Sequence, residues 1–223
     1  MRKNILHLIF LVFLLVLGVG SNADEPSGPI TIVGVDNIAP FSFLLSNGEP
    51  SGLYVEFWQL WSSTNNIPIK IELGAFNDGM KKAKKAGSVH AGLFINESRS
   101  QWASFSRPIH YVNTGFIYNS SFPENTKLRD LVGVKVGAHR GTFQSEYLIN
   151  NMPNLDLVLY DDTPDSIDDL LDNKIVALVA EVPFLQSRIE RRGLNGVFMF
   201  GTEILLGNTV HAAVAKGAAR ITQ

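Results

Sequence analysis

The chain has 223 residues, 45% of them hydrophobic, with 19 lysines and arginines against 21 aspartates and glutamates and no cysteine. A net charge of −2 gives no footprint for nucleic acid or an anionic membrane surface, and a chain without cysteine holds neither a disulfide nor a cysteine-linked lipid. Its length suffices for one large domain or two lobes, each stabilised by its apolar core alone.

The first 23 residues read as a secretory signal peptide. Arg2 and Lys3 form a positive start, residues 8–19 are an uninterrupted apolar run, and Ser21, Asn22 and Ala23 supply small residues for cleavage before Asp24. The run is short for a membrane span, which needs roughly 20 apolar residues; an uncleaved signal anchor is the other reading. Cleavage would leave 17 basic against 21 acidic residues, a net charge of −4. A periplasmic protein is the expected product.

Beyond the signal, short apolar runs alternate with helix-like segments. Residues 30–35 read as a strand, Asn47-Gly48 as a tight turn, and residues 55–61 as a helix with Trp58 and Trp61 on one face. Residues 67–73 alternate as a half-buried strand, the lysine-rich 78–86 lean to helix, and 91–95 are a further strand. A second series follows: strands at 112–118 and 132–138, a helix from Gly141 to about Ile149, and a strand at 157–160. Next, Thr163 caps and Pro164 opens a helix to Leu171. Residues 175–180 are a buried strand, 183–191 a helix, and 197–200 and 209–215 strands. Such alternation predicts an α/β fold with largely parallel sheets, in two lobes joined near residues 111–114.

One stretch carries the chemistry. Residues 91–99 read as a buried strand end followed by a polar turn that presents Arg99, and a guanidinium so placed suits a small carboxylate, gripped by two parallel hydrogen bonds. Thr142 can cap the helix after Gly141, and Glu181 follows a buried strand where a helix dipole favours a carboxylate. Phe41 and Phe43 are expected to face opposite sides, and Phe76 could line a cleft. The lysines at 81, 82, 84 and 85 read as a solvated face, and Asn96-Glu97-Ser98 matches a glycosylation pattern of little meaning in a bacterial secretory protein. Histidines 90, 110, 139 and 211 lack metal-ligand spacing, so no metal or cofactor is expected. No nucleophile elbow, phosphate-binding loop or dinucleotide fingerprint is present, and no catalytic residue is assigned.

Taken in order, these landmarks resemble the extracytoplasmic solute-binding proteins of family 3. They are Val35-Asp36 with residues 39–43, Asn47-Gly48 with 52–56, residues 91–99 with 105–108, residues 131–137 with Gly141-Thr142, and residues 179–183. The resemblance implies two α/β lobes joined by two crossing strands and closing on a ligand by a hinge, with residues 24–112 in the first lobe and 113–207 in the second. Residues 208–223 would return to the first lobe, whose closing helices would be missing, at a cost in stability. By position, Arg99 would bind an α-carboxylate together with Thr142 at its helix N-terminus. Glu181 would meet an α-ammonium, and Asp36 and Phe41 would line the wall.

The sequence departs from that pattern in an instructive way. Phe94 stands where a small hydroxyl residue is common, Ile38 where an aromatic lid is common, and Phe143 where a second small residue is usual, while Glu181 is a methylene longer than the expected aspartate. The pocket should therefore be apolar and crowded. The resemblance implies a binding protein, not an enzyme, whose partners are an amino-acid-like carboxylate and an importer or signalling protein. Two other readings are a sensor domain detached from a membrane signalling protein and a dehydratase-like enzyme on the same fold.

Overall fold

The computed structural model describes residues 28–85, 87–161 and 163–218. The predicted signal peptide and the end of the return segment lie outside them. Twelve strands and six helices follow one another within the described residues. The first half comprises β1 (Ile30–Val35), β2 (Asn37–Ile38), β3 (Ser42–Leu44), β4 (Pro50–Ser51), α1 (Leu53–Asn65), β5 (Ile69–Gly74), α2 (Phe76–Ala83), β6 (Ser88–Phe94) and α3 (Glu97–Ser100). β7 (Ala103–Asn119) leads into the second half. There follow β8 (Lys135–His139), α4 (Phe143–Asn151), β9 (Asp156–Tyr160), α5 (Thr163–Leu171), β10 (Ala177–Glu181), α6 (Val182–Arg191), β11 (Phe198–Phe200) and β12 (Leu206–Ala215).

The main sheet runs β5-β1-β6-β12-β7-β10-β8-β9, with β11 on β7. β1 pairs in parallel with β5 and β6, and β8 in parallel with β10 and β9, so each lobe has the parallel arrangement that alternating strands and helices dictate. The two long strands between them are antiparallel. β7 pairs with β12 from Ala103 to Thr114 and with β10 from Thr114 to Tyr118, so one strand serves both lobes. The molecule is thus a two-lobed α/β fold with crossing strands.

β7 begins at Ala103, well before the strand predicted at residue 112, and takes in the landmark residues 105–108. Pro108 is tolerated because the β7–β12 register shifts between Val210 and His211, leaving a bulge where no ladder donor is needed. β2, β3 and β4 form a small separate sheet built around the Asn47-Gly48 turn, where Gly48 has a φ of 82°.

Packing explains the helices. In α1, Tyr54, Val55 and Trp58 are buried, Trp58 Nε1 donates to Ala91 O at 3.1 Å, and Trp61 packs edge-on against Trp58. The second lobe's core places Phe116, Tyr118, Val136 and Val179 of the sheet against Leu148 of α4 and Leu128 and Leu131 of a 3-10 turn. Gly201 closes this core: a Cβ there would lie 2.3 Å from the buried ring of Phe116. Gly201→Ala should therefore cost about 1–3 kcal/mol and lower the thermal midpoint by roughly 2–10 °C; an unchanged melting curve would mean the ring moves freely aside.

Candidate functional site

A cleft of about 340 Å³ lies between the lobes, and it brings together all six residues singled out from the sequence: Asp36, Phe41, Phe94, Arg99, Thr142 and Glu181. Ile38, Phe76 and Phe143 also line it.

Arg99 sits in the one-turn helix α3, just past the end of β6. Asn96 caps that turn, its Oδ1 accepting from Arg99 N at 2.8 Å, which turns the guanidinium back under the strand end. There Arg99 is buried, its Nη1 donates to Phe94 O at 2.9 Å, and the Phe76 ring lies 5.9 Å from the guanidinium carbon. A guanidinium has five N–H donors, so a single hydrogen bond among the described residues leaves most of the fork for a ligand. Burial lowers the Arg99 pKa, opposed by the nearby charges of Glu146 and Glu181.

Across the cleft, Thr142 caps α4. Its Oγ1 donates to His139 O at 2.7 Å and accepts from Ser145 N, so the hydroxyl is engaged within the cap. With Ser145 N taken by the cap, the donors this helix end offers are the backbone N–H groups of Phe143 and Gln144, which no intrahelical bond satisfies. Phe143 packs edge-on to Phe94 at 5.6 Å between ring centroids. Phe94 therefore offers the cleft a hydrocarbon face, while its carbonyl positions Arg99.

Glu181 ends β10 opposite Thr114 of β7 and stands at the N-cap of α6. Its Oε1 accepts from Gln144 Nε2 at 2.8 Å, and the same nitrogen lies 3.4 Å from Thr114 Oγ1. Burial raises the Glu181 pKa, opposed by hydrogen bonds from its own backbone N–H and Gln144 and by the charge of Arg99. Phe41 stacks on both Tyr54 and His110, and the Tyr54 hydroxyl lies 3.0 Å from His110 Nε2. Burial, with a smaller effect from Glu181, pushes the Tyr54 phenol far above its ordinary range, so it stays neutral. Phe43 turns the other way, under the Arg191 guanidinium at 4.5 Å.

Among the cleft residues that sequence reasoning passed over, three bear directly on the site's chemistry. Gln144 holds Glu181, but a glutamine in a helix's first turn gives no local signal. Tyr54 lay within a landmark without being picked out. His90, set aside as scattered, lines the cleft with its Nδ1 accepting from Gly92 N and its Nε2 without a hydrogen-bond partner among the described residues. Burial and the neighbouring Arg99 push its pKa down to about 3, so it adds no second positive charge beside the guanidinium. The cleft thus offers a cation and helix N–H groups for a carboxylate, a carboxylate for a cation, and aromatic walls for the rest. Among the described residues no three His, Asp or Glu side chains converge as metal ligands would.

The chain is 28% identical over 155 residues to the L-cystine-binding protein TcyJ of Escherichia coli (strain K12), covering 67% of this chain and 58% of that protein. It is 26% identical over 168 residues to the membrane-bound lytic murein transglycosylase F of Stutzerimonas stutzeri (strain A1501), covering 68% and 34%. The chain therefore spans roughly a third to three-fifths of the length of these relatives. Its fold matches a histidine kinase sensor domain with similarity to periplasmic binding proteins at a TM-score of 0.80 and 23% identity, over 87% of this chain and 85% of that one. Residues 30–219 match the family pattern, nearly the whole of the described fold, and the chain belongs to the bacterial extracellular solute-binding proteins, family 3.

Proposed function

We propose that the chain captures a small amino-acid-like molecule in the cleft, in the periplasm after loss of a signal peptide, and that an importer or a signalling partner reads the closed form. The lobes are residues 24–112 with 208–223, and residues 113–207. Arg99 and the N-terminal N–H groups of α4 hold the ligand's carboxylate, Glu181 holds its ammonium, and Phe41, Phe94 and Asp36 line the wall around its side chain. The observation that carries this reading is the buried Arg99 guanidinium, with one hydrogen bond to protein among the described residues, in the same cleft as a half-buried Glu181. Similarity to a protein named for binding L-cystine supports the ligand class. Capture without turnover is the reading that membership of a binding-protein family supports.

A thermal-shift panel tests it. An α-amino acid that fits, at about 100 times its dissociation constant, should raise the midpoint by about 5–10 °C. The corresponding amide and the decarboxylated amine should leave it unmoved, and the bound amino acid should be recovered chemically unchanged. A shift given equally by amines without a carboxylate would overturn the clamp, and consumption of the ligand would overturn capture without turnover.

A further inference from the structure

The turn that carries Arg99 also reaches across the cleft. Asn96 uses both ends of its amide: Oδ1 accepts from Arg99 N, and Nδ2 donates to Glu146 Oε2 of α4, whose first turn supplies the N–H groups facing the same cleft. Fifty residues of chain separate the partners, which stand on opposite lobes. A shallow crevice lined by Ser98, Gln101, Tyr147 and Asn150 flanks the bond. Among the described residues the Phe94–Phe143 rings and the Arg191 guanidinium over Phe43 also bridge the lobes, but these are ring contacts, not hydrogen bonds between the ligand-gripping elements.

We propose that Asn96 is the latch of the closed cleft, a positioning residue that joins the Arg99 turn to α4 and so couples lobe closure to the geometry of the carboxylate clamp. An N-cap needs only an acceptor oxygen, which serine or aspartate supplies equally well. The amide of asparagine adds a donor, and here that donor points at a carboxylate on the opposite lobe. When the lobes part, the cap survives and the latch breaks. This inference rests on the cleft opening and closing, as proposed above, but not on the identity of the ligand.

Because the chain has no cysteine, a pair introduced as Phe43→Cys and Arg191→Cys can be bridged by a short bis-maleimide, and the bridging rate of the ligand-free protein reports how often the lobes close. In that background Asn96→Asp keeps the capping oxygen but sets two carboxylates face to face. The rate should fall at least tenfold. Asn96→Ser keeps a capping oxygen but is too short to reach Glu146, and should cause a similar loss. The double variant Asn96→Asp with Glu146→Gln restores one donor and one acceptor at unchanged net charge, and should return the rate to within about twofold of the parent. Equal rates in all four proteins would overturn the latch. So would a double variant as slow as Asn96→Asp alone, since a cap or folding role would not be rescued from the other lobe. Because no ligand is used, failure of the latch and failure of the amino-acid panel are read separately.

Discussion

Arg99→Ala is expected to weaken binding of the amino acid that gives the largest thermal shift by about 2 kcal/mol or more, roughly 30-fold. The size follows from where the charge sits. In water a guanidinium and a carboxylate gain little from each other, because both are already well solvated. Arg99 has been stripped of that solvation within the fold: it is 3% exposed, it makes one side-chain hydrogen bond among the described residues, and an aromatic ring lies beneath it. A ligand carboxylate therefore meets a cation already dehydrated and oriented by the Asn96-capped turn, so little ordering remains to be done on binding. Arg99→Lys should recover only part of the loss, since an ammonium keeps the charge but not the two-pronged geometry. Calorimetric titration of the three proteins decides the matter. Unchanged affinity in the alanine variant would remove Arg99 from the site.

The α/β architecture is legible in the sequence because most strands are apolar runs whose burial is locally encoded. The first half of β7 is not. Ser104, Ser106, Arg107, Pro108 and His110 carry no apolar run, and these residues are extended because β12, about a hundred residues away, pairs with them. The small β2-β3-β4 sheet is likewise hidden, its strands being two or three residues long, and only its turn left a local mark.

The cleft divides in the same way. Arg99 stands out because a buried strand end, a polar turn and a cation follow one another within residues 91–99. Gln144 and His90 do not, since their chemistry arises only in three dimensions. Gln144 meets Thr114 and Glu181, 30 and 37 residues away in the chain, and His90 is kept neutral by its burial and by Arg99. Asn96 is the sharpest case: its sequence motif carries little meaning in a bacterial secretory protein, whereas in the fold both ends of its amide are engaged inside the protein.

Glu181→Gln should make the protein more stable and a poorer binder at once. Burial raises the Glu181 pKa above the 4.5 of an ordinary glutamate, with the Gln144 hydrogen bond and Arg99 opposing only in part. A carboxyl whose folded-state pKa is raised favours the fold below its unfolded pKa, and that favour is lost as pH rises through the folded value. Above its raised pKa the ionised Glu181 is thus a cost carried by the fold, recovered when an ammonium arrives. Glutamine has the same shape, can still accept from Gln144, and has no charge to desolvate. Its variant should melt above the parent at pH 7, each 1 kcal/mol relieved being worth about 2–4 °C in a chain of this size. The gap should close as pH falls below 4.5, where the parent is neutral as well. Affinity for α-amino acids should drop at least tenfold, because the buried ammonium loses its counter-charge, whereas N-acyl amino acids, which carry no ammonium, should be bound no worse than by the parent. Melting curves from pH 4 to 8 with parallel titrations measure both arms. A variant less stable at pH 7 would show that the Glu181 charge is matched by the fold itself, and unchanged affinity would place the ammonium elsewhere in the cleft.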